Sequence, residues 1–197
     1  RRGFLLYGTQ GSGKTSIVQQ AISDVVRGGG LVLICENPNH FAPGLLTFRR
    51  VEPDRDVICL FEDIDAIKAR WGEDKLLSIL DGEDQINHVF NLASTNYPEL
   101  LDKRIVSRPR RFDRVIKVLP PDKKMRADYF KRKLPRENHK EWAEKTEGLS
   151  FAALAELIIA TKCFGESFEG ALQRLQKMKT DNPSSEEVGE DVGFGKG

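Results

Sequence analysis

Cysteine is scarce and scattered: the three copies, Cys35, Cys59 and Cys163, form no C-x-x-C pair. That argues against a disulfide framework or a paired zinc-ligand pattern and fits buried, inert thiols in a reducing compartment. No apolar run approaches the ~20 residues that a bilayer-spanning helix needs, so no crossing segment is expected. Neither charge sign is in excess. Lys plus Arg number 31 and Asp plus Glu 30, leaving +1, with no global field to draw in nucleic acid or a membrane surface. Partners must therefore be sought in local sites. Internal repeats are absent, as are low-complexity tracts before the last residues. The chain lacks an initiator Met, opens on Arg1-Arg2-Gly3 and is at once in an apolar run, so it reads as an excised piece. An intracellular setting, cytoplasmic first, is expected, with an upstream targeting segment left open.

What is present is an alternation of short apolar runs with turns and helical patterns. Gly3 to Tyr7, Leu31 to Cys35, Val57 to Phe61, His88 to Ser94 and Arg114 to Leu119 read as strands, and Lys14 to Arg27 as a helix stopped by Gly28-Gly29-Gly30. Strands alternating with helices predict an α/β fold, a parallel sheet covered by helices on both faces. From Pro120-Pro121 only helical spacing remains, clearest in Phe151 to Ala160 and Phe168 to Met178. The expected organisation is an α/β core over 1–119, a small all-helical lid over 120–179, and a polar, disordered tail over 180–197.

The strongest local pattern is Gly8-Thr9-Gln10-Gly11-Ser12-Gly13-Lys14-Thr15, which fits G-x-x-x-x-G-K-[ST] between a strand and a helix, as a P-loop requires. Glycines let the backbone wrap so that successive N–H groups and the helix N-terminus point at phosphates. Lys14 would reach the β- and γ-phosphates of ATP, the Thr15 hydroxyl would ligate Mg²⁺, and Ser16 completes the candidate nucleotide-binding set. A flexible surface loop ahead of a helix is the bland alternative.

The second pattern is a strand that ends in acids, Val57 to Phe61 followed by Glu62-Asp63-Ile64-Asp65. Phosphoryl transfer needs one carboxylate in the Mg²⁺ shell and another to orient or deprotonate the attacking water, and neighbours at a strand end can supply both. Glu62 and Asp63 are the candidates. Asp65 reads equally well as the cap of a following helix.

Three further segments select among P-loop proteins. Leu76 to Gly82 is an amphipathic helix ending Leu-Asp-Gly, Ala93-Ser94-Thr95-Asn96 closes a strand with an amide, and Arg108-Pro109-Arg110-Arg111-Phe112-Asp113-Arg114 is rich in arginine. Together they resemble the AAA+ ATPase family, AAA subgroup. The resemblance runs from Gly3 to about Met178 and implies a Mg-ATP-dependent hexameric or heptameric ring. It implies that Asn96 is the sensor 1 residue, bonding the attacking water or γ-phosphate. It also implies that Arg108 and Arg111 reach the γ-phosphate held by a neighbouring subunit. Taken alone, Asn96 is a turn former before Tyr97-Pro98 and the arginines a nucleic-acid contact.

The sequence departs from the family pattern in places. Glu62-Asp63 inverts the usual Asp-Glu order, Arg110 replaces a Gly, and Ser107 is one residue extra. The inverted order and the Arg-Arg-Gly lead also resemble the membrane-anchored mitochondrial translocase of the Rieske iron–sulfur protein. Glu147 to Leu154 resembles the family's sensor 2 region without its arginine and also reads as an ordinary Ser-capped amphipathic helix, and both readings can hold together. Family translocases grip polypeptide with an aromatic after the second strand, where Glu36 to Pro43 offers His40-Phe41; the alternative places Phe41 in the core. Three functions stay open: an ATP-driven remodeller or translocase of a protein substrate, a nucleic-acid-directed loader or helicase, and a nucleotide-gated binding module that hydrolyses little.

Overall fold

The computed structural model describes residues 2–81, 87–102, 105, 111–135 and 138–181. The disorder expected of the tail falls almost wholly outside them. Strands β1 (Arg2–Tyr7), β2 (Leu31–Ile34), β3 (Val57–Phe61), β4 (Val89–Thr95) and β5 (Arg114–Lys117) form one sheet in the order β2-β3-β4-β1-β5. Every pairing is parallel. An all-parallel sheet has to be covered, and β3 is buried at each of its residues, as its unbroken Val-Ile-Cys-Leu-Phe run predicts.

Helices α1 (Lys14–Arg27), α2 (Pro38–Val51), α3 (Ile64–Trp71) and α4 (Glu73–Asp81) separate the first strands. α4 contributes Leu76, Leu77, Ile79 and Leu80 to the core, with Leu5, Cys59, Phe61 and Ile64. α2 lies where a loop was expected. Asn37 caps it by accepting from the Asn39 N–H, and Pro38 fits its first turn. Phe41, Leu45 and Phe48 then fall on one face toward the core. The Arg49 guanidinium at its end donates to the carbonyls of Glu52, Pro53, Arg55 and His88.

Contacts divide the chain into two compact units, 1–8 with 14–117, and 9–13 with 118–197. Within the second, α5 (Lys123–Lys133), α6 (His139–Lys145), α7 (Phe151–Lys162) and α8 (Phe168–Asp181) follow one another. Their core is built on Phe130, Trp142, Leu154 and Leu157, with Trp142 against Phe130 at 5.3 Å and Phe168 at 4.6 Å between ring centroids. Asp122 and Ser150 cap α5 and α7, so the Ser-capped reading of that segment holds. Buried Arg126 donates to the carbonyls of Pro121 and Ala143. No helix among the described residues is long and apolar enough to cross a membrane. Cys35 and Cys59 are buried as expected, whereas Cys163 is exposed, because it follows the last turn of α7.

Candidate active site

The residues singled out in the sequence follow three neighbouring strands at their carboxyl ends, where open α/β sheets bind ligands. β1 runs into Gly8, β3 into Glu62-Asp63, and β4 into Asn96.

Between β1 and α1 the backbone turns through Gly11 at φ 76° and Gly13 at φ 111°, where a side chain is disfavoured. Space forbids one as well: a Cβ on Gly11 would lie 2.6 Å from that of Ala152, in the same compact unit. The Ser12 N–H donates to the Thr9 carbonyl at 3.2 Å, and Gln10 is exposed. Ser12 itself is 2% exposed, and its Oγ has no hydrogen-bond partner among the described residues. An unpaired buried hydroxyl costs about 1–3 kcal/mol; a phosphate oxygen is the acceptor this loop would receive. Lys14 opens α1 at 7% exposure, its Nζ donating to the Gly8 carbonyl at 2.6 Å. Thr15 and Ser16 stand exposed in the same first turn, where the helix N-terminus favours negative charge.

Glu62 and Asp63 are both exposed. Asp63 occupies the N-cap position of α3 in the left-handed region, at φ 46° and ψ 55°, yet makes no side-chain cap bond. Its carboxylate is thus not used up by the helix. The Asn96 Nδ2 donates to Asp63 Oδ1 at 3.3 Å, and the Asp63 N–H donates to Ser94 Oγ at 3.4 Å. The expected sensor amide and the expected water-side acid are therefore neighbours. Asp65 is not the cap; it sits inside the first turn of α3 and accepts from the Thr95 hydroxyl at 2.5 Å.

The arginine segment divides. Arg108 lies outside the described residues, as do Ser107, Pro109 and Arg110. Arg111 is 2% exposed, its Nε and Nη2 donating to the two carboxylate oxygens of Asp81 at 2.5 Å each. Its guanidinium is engaged within its own chain. Nearby, the Asp113 carboxylate accepts from the Gly3 N–H at 3.0 Å while the Asp113 N–H donates to the Gly3 carbonyl at 2.8 Å. A Cβ on Gly3 would stand 2.3 Å from the Arg111 carbonyl oxygen, so only glycine permits that approach. Sequence reasoning missed Asp81, Thr95 and the Gly3–Asp113 pair, since nothing local marks partners so far apart.

Phe41 takes the core alternative of the two readings open for it. It belongs to α2 and packs on Phe61 at 5.7 Å between centroids. It is part of the core of the first unit and is not mounted on a loop. No group of three or more His, Cys, Asp or Glu among the described residues is arranged to hold a metal. A divalent cation here would need phosphate oxygens and water beside Thr15 and one or two carboxylates, which suits Mg²⁺.

Residues 4–119 match the ATPase family associated with various cellular activities, AAA. The chain belongs to the AAA family. Among its relatives are the "Cell division cycle protein 48 homolog" of Archaeoglobus fulgidus, 32% identical over 176 residues, with 77% of this chain and 24% of that protein covered. The "ATPase family gene 2 protein" of Schizosaccharomyces pombe is 32% identical over 179 residues, 79% of this chain and 22% of that protein. The "Proteasome-activating nucleotidase" of Methanococcus vannielii is 30% identical over 148 residues, 66% of this chain and 36% of that protein. The AAA domain thus spans between about a fifth and about a third of each relative's length. It binds nucleotide and hydrolyses ATP, and the α/β parallel sheet is the fold expected.

Proposed function

We propose that this AAA domain is one subunit's motor core in a hexameric or heptameric ring that spends Mg²⁺-ATP on remodelling or translocating a protein substrate, with 1–119 as its core and 120–179 as its lid. The observation that carries the reading is the pairing of Asp63 with Asn96 at adjacent strand ends, two strands and one strand from β1. Gly8 to Gly13, Lys14, Thr15 and Ser16 hold the phosphates, with Ser12 Oγ as a ready donor. Thr15 and Glu62 supply protein oxygens to Mg²⁺, whose chemistry is to neutralise the developing phosphoryl charge. Asp63 takes the proton of, or orients, the attacking water, and Asn96 steadies that water or the γ-phosphate. Arg108 is the arginine offered to a neighbour's nucleotide, while Arg111 is bound to Asp81 of its own chain.

A protein substrate is favoured by the name of the proteasome-activating relative and by a net charge of only +1, which gives no pull on nucleic acid. Glu62-Asp63 order and the Arg-Arg-Gly lead support a kinship with the Rieske-protein translocase type. ATP hydrolysis measured across a protein concentration series, for wild type beside Arg108→Ala, tests the ring. Specific activity that rises with concentration and falls ~10³-fold or more in the variant is expected. A flat series with an unchanged variant would mean a monomeric enzyme.

A further inference from the structure

We infer that Thr95 and Asp65 are positioning residues for hydrolysis, joined in a hydrogen-bonded ring that holds Asp63 and Asn96 in working register. Thr95 is fully buried at the end of β4. Its one hydroxyl donates to Asp65 Oδ1 at 2.5 Å and accepts from the Tyr97 N–H at 3.0 Å. The second bond closes a turn around Asn96 and fixes where its amide points. The first ties β4 to the opening turn of α3, two residues beyond Asp63. The Asn96 to Asp63 bond at 3.3 Å completes the circuit, so each strand end is fixed by the other through two bridges.

The circuit explains how Asp63 persists at φ 46° without a cap bond of its own. A non-glycine residue there is strained and needs surroundings that over-determine it. The Thr95–Asp65 bridge and the Ser94 hydroxyl, which accepts the Asp63 N–H, are those surroundings. The role given to Asp65 is that of an acceptor, not a base or metal ligand, and this makes a sharp distinction. An amide oxygen can accept the Thr95 hydroxyl as a carboxylate does, whereas a methyl cannot.

The inference rests on Asp63 and Asn96 acting at the reacting end of ATP. Steady-state ATP hydrolysis and equilibrium binding of a fluorescent ATP analogue would be measured for Thr95→Val, Thr95→Ser, Asp65→Ala, Asp65→Asn and the Thr95→Val/Asp65→Ala pair, beside Asp63→Asn. Thr95→Val and Asp65→Ala are expected to lower kcat ~10- to 100-fold, the scale of a misplaced catalytic group. KM and analogue affinity should stay within about twofold, as for a loss confined to the transition state. The pair should fall little below either single variant, because one bridge is lost in all three. Thr95→Ser and Asp65→Asn should keep kcat within about threefold, as both retain donor and acceptor. Wild-type kcat in Thr95→Val, Asp65→Asn as damaging as Asp65→Ala, or loss of analogue binding in step with kcat would each overturn the inference. If Asp63→Asn kept full turnover, the site assignment itself would fall, and the inference with it.

Discussion

The engagement of Arg111 inside its own chain sets stability against catalysis in a way that can be measured. Arg111 is 2% exposed and doubly bonded to Asp81, whose side chain is 40% exposed. Removing one partner of a buried ion pair costs roughly 3–5 kcal/mol, because the other charge is left in a medium that solvates it poorly. Water reaches this pair from the Asp81 side, so Asp81→Ala is expected to cost about 2–3 kcal/mol. With a urea m-value of about 2 kcal/mol/M for a first unit of this size, the midpoint should drop by about 1–1.5 M. The two tryptophans, Trp71 and Trp142, lie in different units, so fluorescence of Trp71 in a Trp142→Phe background follows the first unit alone. Replacing both partners by apolar residues, as Asp81→Leu with Arg111→Met, should recover most of the loss, since a pair's net worth is far below the cost of breaking it. A midpoint within ~0.3 M of wild type for Asp81→Ala, well under the shift that m-value implies, would refute the reasoning and return Arg111 to the set of arginines free to act on a neighbour.

Phe41→Ala should destabilise the first unit by about 2–3 kcal/mol in the same urea assay, less than a fully buried Phe because the side chain is half-buried. Protein-stimulated turnover per folded molecule should be unchanged; a selective loss of stimulation at full stability would restore the gripping role. Burial, and then the neighbouring Cys59 thiol, push the Cys35 thiol up to about 12 from 9.0. The unfolded chain releases this proton first, so the contribution of Cys35 to stability is intact below pH 9 and is lost as pH rises toward 12. Iodoacetamide at pH 8 should therefore label Cys163 and spare Cys35, read by mass spectrometry of peptides.

Elements with a strong local signal were legible in the sequence. α1 occupies the span from Lys14 to Arg27 that its glycine stop predicts, and β3 the apolar run from Val57 to Phe61. α2 was not legible, because Pro43 and Gly44 stand inside it and both lower helix propensity. Tertiary contact of Phe41, Leu45 and Phe48 outweighs that deficit. In the site, residue types at fixed spacing pointed to Lys14, Glu62 and Asp63, the family resemblance pointed to Asn96, and the fold brings Asp63 and Asn96 together. The supporting bonds of Thr95 to Asp65, Arg111 to Asp81 and Gly3 to Asp113 span 30, 30 and 110 residues. They are set by sheet order and register, which no local pattern encodes.

Sheet order also acts as a ruler. β4 lies between β1 and β3, and adjacent strands are about 4.8 Å apart, so the strand leading to Lys14 and the one leading to Glu62-Asp63 stand about 9.6 Å apart at two such steps. That gap is fixed by backbone hydrogen bonding alone. A change of nucleotide state can therefore tilt or rotate what the strand ends carry, but it cannot alter their separation without breaking a ladder. Engineering that seeks another triphosphate or metal in this domain has to work within the turns after Tyr7, Phe61 and Thr95, because the strands beneath them set a width that side chains do not control.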